Sequence, residues 1–125
     1  MRFRLTIDAD ADIAQILRTT ARLFGEGQAK EYARIIALGI ERVTADPQRA
    51  ASVDAGWIRE GVRLYHLEHA AGRRRGAAHV IFYKLAKGPE EQDELVVLRV
   101  LHERMQPKRR LIQALRGEEA EQLGP

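Results

Sequence analysis

From Arg2 to Ile7, polar and apolar residues alternate with a period of two, the pattern of a half-buried strand. Asp8, Asp10 and Asp12 follow. Acids suit a helix start, where side-chain oxygens cap free N–H groups and negative charge meets the dipole. A calcium loop would also need a glycine and a distal glutamate that this stretch lacks, so the trio reads as helix capping. Ile13, Ile16, Leu17, Thr20 and Phe24 then share one helical face, ended by Gly25 and Gly27. Ala29, Tyr32, Ala33, Ile36, Ile40 and Val43 step by three and four, predicting a second helix that stops at Asp46-Pro47. Two helices joined by so short a glycine turn pack as an antiparallel hairpin. Residues 47–61 read as a connection, with Trp57 and Ile58 tacking it to the core.

From Val62 the period returns to two. Val62–Ala70, Ala78–Leu85 and Leu95–Leu101 are strand-like, and the two links between them are short and rich in turn residues. They predict an antiparallel meander. Pro107 sets off a final stretch in which Leu111, Ile112 and Leu115 can share a helical face, and the acidic tail from Gly117 is expected to fray. The fold class is therefore α+β, in the order β-α-α-β-β-β, with a helical hairpin over one face of a small sheet. Residues 1–116 form a single domain and 117–125 the tail.

Alternation also sorts the strands into two faces. Val62, Leu64, Val80, Phe82, Val96, Leu98 and Val100 are almost wholly apolar and are expected beneath the helices. Arg63, Tyr65, Leu67, His69, His79, Ile81, Tyr83, Leu95, Val97, Arg99 and Leu101 form the other face. It is too apolar for water and too cationic for a dry core. Either a partner protein covers it or the C-terminal segment folds over it. Arg99 is the sharpest signal, because an unpaired charge in Leu95–Leu101 would cost several kcal/mol if buried. It must meet a carboxylate, such as Glu94 or Glu103, or face a ligand.

Composition and charge narrow the chemistry. The 125 residues are 45% hydrophobic and 31% charged, the balance of one folded domain. No run is long and apolar enough for a membrane span or a signal peptide. With no cysteine, thiolate catalysis, iron–sulfur clusters and cysteine zinc sites are excluded, and a cytoplasmic setting is the default. Residues 1–58 hold 8 basic and 8 acidic side chains, whereas residues 59–116 hold 13 basic against 7 acidic. A basic half suits an anionic partner, or is a solvated surface. Arg73–Arg75 and Lys108–Arg110 admit phosphate contact or plain solvation, so direct nucleic-acid contact is secondary. Ser52 is the only serine, and His66, His69, His79 and His102 lack a metal-binding spacing. No metal and no cofactor are expected.

Four segments carry a family likeness: Phe24–Tyr32 at the helix turn, Gly61-Val62-Arg63, His79–Tyr83, and Arg99–Met105 after the last strand. Across residues 3–112 the chain resembles the ParE branch of the RelE/ParE toxin superfamily, the plasmid-stabilising toxins of bacterial type II toxin–antitoxin modules. The resemblance implies a cytoplasmic toxin that arrests growth unless wrapped by a cognate antitoxin. A homodimer, or a heterotetramer with antitoxin, is compatible with it. ParE-like members poison DNA gyrase, whereas RelE-like members cut ribosome-bound messenger RNA. As a ribonuclease the chain would rely on Arg63, Arg99 and His102, but the lysine and the late tyrosine of that pattern are missing. His102 more simply orients the chain leaving the last strand. The expectation is a non-enzymatic gyrase inhibitor whose partner surface contains Arg63, Tyr65, His79, Tyr83 and Arg99, with His102, Arg104 and Met105 at its edge. The alternatives are the ribonuclease and an inactive interaction domain.

Overall fold

The computed structural model describes residues 1–123. Strand β1 (Arg2–Leu5) leads into helix α1 (Ile7–Phe24), and α2 (Glu26–Ala45) follows after a single residue. That residue is Gly25, whose φ of 91° lies where only glycine is at ease. Thr6 caps α1: its hydroxyl accepts the Ala9 N–H at 3.0 Å and donates to the Leu98 carbonyl at 2.8 Å. The capping role expected of the acid trio is thus filled by a threonine. The connection carries a two-residue strand, β2 (Val53–Asp54), followed by β3 (Arg63–His66). The run expected to continue as strand to Ala70 instead turns into a short helix, α3 (Glu68–Ala71). Strands β4 (His79–Lys87) and β5 (Asp93–His102) and helix α4 (Pro107–Leu123) complete the chain.

The sheet order is β1-β5-β4-β3-β2. Strand β1 lies parallel to β5, and the remaining pairs are antiparallel, so the predicted meander stands beside its first strand. Helices packed on a mixed five-stranded sheet make this the α+β domain expected.

The two sheet faces are exchanged relative to the sequence-based assignment. Tyr65, Ile81 and Val97 pack under the helical hairpin with Ile36, Ile40 and Val43. Phe82, Val96 and Leu98 lie on the opposite side, covered by Leu111 and Leu115 of α4 and by Ile58 of the connection. Strand parity separates two faces but does not say which cover each one receives. A bulge adds a second shift: Phe82 pairs with Arg99 and Tyr83 with Val97, which leaves Leu98 as the extra residue. Val97 and Val100 therefore both face the hairpin. The close approach of α2 to the sheet depends on Gly39, where a Cβ would collide with Leu67 and crowd Ile81 Cδ1 at 3.1 Å.

Helix α4 continues through Gly117 to Leu123, in place of a tail frayed from 117; residues 124 and 125 lie outside the described residues. Its anchor is ionic as well as apolar. Arg4 of β1 holds the buried Glu94 at 2.5 Å and also grips the buried Glu118 of α4, with one contact at 2.9 Å. The Glu118 bond, ahead of Glu94, holds the Arg4 guanidinium more firmly protonated than usual, against the opposing cost of burial. Leu111→Ala should therefore lower unfolding free energy by about 2–4 kcal/mol in urea melts, as for a core leucine. A detached segment would lose less than about 0.5 kcal/mol.

Candidate partner-binding site

Arg99 does not face outward. Its Nε and one terminal nitrogen each donate to Asp12 of α1 at 2.7 Å, and Asp12 also accepts the Val100 backbone N–H at 3.0 Å. Asp12 raises the guanidinium pKa, outweighing desolvation. Asp12 thus serves the edge of β5 that β1, being shorter, leaves open beyond Leu98. The carboxylate that the sequence demanded for Arg99 comes from the acid trio, not from Glu94 or Glu103.

The other expected surface residues separate into three groups. Arg63 and Tyr83 meet at Ser52: Arg63 Nε donates to the serine hydroxyl at 2.8 Å, and the Tyr83 hydroxyl contacts it at 2.5 Å and donates to the Pro47 carbonyl. Burial pushes the Tyr83 phenol pKa up, opposed by the Ser52 bond. This cluster ties the connection to the sheet. Tyr65 is buried in the core beneath the hairpin, with the His69 ring 5.6 Å away. Neither Tyr65 nor Tyr83 offers a surface to a partner, which corrects the continuous exposed face expected. His79, His102 and Met105 do come together, with Arg104 exposed next in sequence to Met105.

They share a groove of about 890 Å³ between the tip of the helical hairpin and the ends of β4 and β5. Its walls include Ile16, Leu23 and Phe24 from α1 and Met105 from the turn after β5. Phe24 is 69% exposed and Met105 46%. The floor is polar. The Tyr32 hydroxyl accepts the Ala78 N–H at 3.2 Å, so its single proton goes to His79 Nδ1 at 2.6 Å. His102 Nδ1 accepts the Arg104 N–H at 3.1 Å, and the His79 and His102 rings meet edge to face at 5.3 Å. Burial first, and then the His102 charge, lower the His79 pKa to about 4, so His79 is neutral near pH 7. Beside the groove, Glu103 bonds His66 Nε2 at 2.6 Å, which holds that carboxyl below its usual pKa. Arg75 stands at the mouth.

Tyr32, Leu23 and Phe24 were missed as site residues. The available signal was Leu23-Phe24: two large apolar residues side by side at a helix end cannot both lie on one buried stripe. Among the described residues no cluster of three or more His, Asp or Glu could hold a metal, and no helix is long and apolar enough to cross a membrane.

Residues 3–107 match the family model described as "ParE toxin of type II toxin-antitoxin system, parDE". The chain belongs to the ParE toxin family. It is 29% identical over 113 residues to "Toxin ParE" of Escherichia coli, covering 90% of this chain and 95% of that protein. It is also 29% identical over 110 residues to "Toxin ParE1" of Mycobacterium tuberculosis, at 88% and 97% coverage. The solved "Chromosomal ParDE TA system from P. aeruginosa" aligns with a TM-score of 0.61 at 20% identity, over 82% of this chain and 95% of that one, a likeness of fold. The ParE match ends where α4 begins, so the helix sealing the second sheet face lies almost wholly outside it.

The histidine floor has a pH consequence. Because the His79 pKa lies below its ordinary value of 6.5, the unfolded chain binds more protons between about pH 4 and 6.5. Its contribution to stability is complete above pH 6.5 and is lost as pH falls towards 4. His102, Glu103, His66 and Asp12 are the charged neighbours that modulate it. His79→Asn should flatten thermal midpoint against pH across that window; an unchanged slope would assign the dependence to other groups.

Proposed function

We propose that this ParE-family toxin is held inactive in the cytoplasm by a cognate antitoxin that seats an apolar, acid-flanked segment in the hairpin-tip groove. Released from it, the toxin arrests growth by binding DNA gyrase, without cutting RNA. The groove carries the reading: an apolar trough with Arg75 as the arginine of its lining suits an amphipathic segment whose acids meet Arg75. The state of the arginines also speaks for binding over cleavage. A ribonuclease needs free cations beside a general base to stabilise phosphorane charge. Arg99 is committed to Asp12 and Arg63 to Ser52, while His102 Nδ1 is occupied by a backbone N–H.

Phe24→Ala should weaken antitoxin binding by about thirtyfold, the scale of an aromatic hot spot, as read by calorimetry. For the target, inducible expression with and without antitoxin is followed in the same cells by gyrase–DNA cleavage complexes and message integrity. Accumulated complexes with intact messages are expected. Cut ribosomal messages with undisturbed supercoiling would favour the ribonuclease, and absence of growth arrest the inactive domain.

A further inference from the structure

We propose that Trp57 is the anchor by which this chain grips its target protein, on a surface separate from the groove. The inference rests on the reading of the toxin as a protein that acts by binding. Trp57 is the only tryptophan of the chain and is 58% exposed. Its exposure does not come from a slack loop. Ala55 and Ile58 on either side are buried in the α4-side core, and Ala55 N–H donates to the Val62 carbonyl at 2.8 Å. Ile58 N–H donates to the Ala55 carbonyl at 2.9 Å, and Asp54 Oδ1 accepts the Gly56 N–H at 2.6 Å. The chain therefore holds a large indole out to water on a braced turn. Truncating so exposed a ring costs the fold little, so packing does not account for it, whereas tryptophan is the residue most enriched among binding hot spots.

Shape and charge select the occupant. A fixed projecting ring fits a preformed concave pocket on a folded protein, whereas a groove takes a segment. The surface around it continues onto α4, because Arg59 binds Glu119 at 2.7 Å. Arg116 and Arg109 precede Glu119 by three and ten residues, on the same helical stripe, and both are exposed. Exposed Asp54 and Glu60 flank the turn itself, so the matching partner offers an indole-sized apolar pocket with acidic groups only opposite Arg109 and Arg116. A second copy of this chain does not: the lining of its apolar groove includes Arg75 and no carboxylate to meet Arg109 and Arg116.

The test compares Trp57→Ala, Trp57→Phe and wild type for inhibition of purified gyrase, alongside thermal midpoint and affinity for the co-expressed antitoxin. Trp57→Ala should inhibit at least tenfold more weakly and Trp57→Phe should be intermediate, with the thermal midpoint unchanged and antitoxin affinity changed less than twofold. In chain labelled with 5-fluorotryptophan, the single fluorine resonance should shift on adding gyrase and stay in place with serum albumin. Wild-type potency in Trp57→Ala, or a resonance unmoved at saturating gyrase, would overturn the anchor. If wild-type chain leaves gyrase untouched, the gyrase reading alone fails and growth arrest decides: arrest lost in Trp57→Ala supports the anchor, full arrest overturns it.

Discussion

A guanidinium set into an apolar central strand has to be answered by the chain or by a partner, and Asp12 answers it. One carboxylate takes two donors of Arg99 and the neighbouring Val100 N–H, so charge and open strand edge are satisfied together. Taking a partly buried ion pair out of water costs several kcal/mol, recovered only when geometry and hydrogen bonds are this complete. With that position closed, α1 is locked against β5 and the hairpin seals the sheet.

Arg4 solves the same problem on the other face, where, half-buried, it holds the buried Glu94 and Glu118. A sheet apolar on both sides needs two covers, and α4 is the second. The consequence for function is displacement: the middle of the sheet has no room for a partner, and exposed apolar atoms gather at its periphery. Leu23, Phe24 and Met105 line one end, and Trp57 stands out from the β2–β3 loop. At the groove, His79 and His102 each use Nδ1 as an acceptor, and burial keeps His79 neutral near pH 7. That favours recognition by apolar contact with charge kept to the rim.

Much of this was legible in the sequence. The hairpin follows from two apolar stripes and Gly25, the meander from period-two runs and turn residues, and ParE membership from four ordered motifs. The demand that Arg99 find a carboxylate was also readable, but its source was not: Asp12 is 87 residues away and locally resembled a capping acid. The choice of cover for each face was hidden because alternation carries no absolute direction, and because the bulge at Leu98 reverses it midway. The span of α4 was concealed by Gly117 and by acids that looked like a tail, although Glu118 is buried against Arg4. His79 and His102 stand at strand ends beside the groove, and Met105 lies in the turn after β5. Tyr65, Tyr83, Arg63 and Arg99 were misjudged because aromatic and cationic side chains serve internal polar clusters as readily as surfaces.

The central claim is that Arg99 belongs to the interior and the groove to the partner. The most direct measurement is antitoxin affinity of the paired neutral replacement Asp12→Leu with Arg99→Met, which removes both charges and leaves neither buried alone. The account predicts a folded protein whose affinity stays within about threefold of wild type, as expected when only a remote internal pair is exchanged. A folded double variant that loses a hundredfold or more in affinity would place Arg99 at the interface and contradict it.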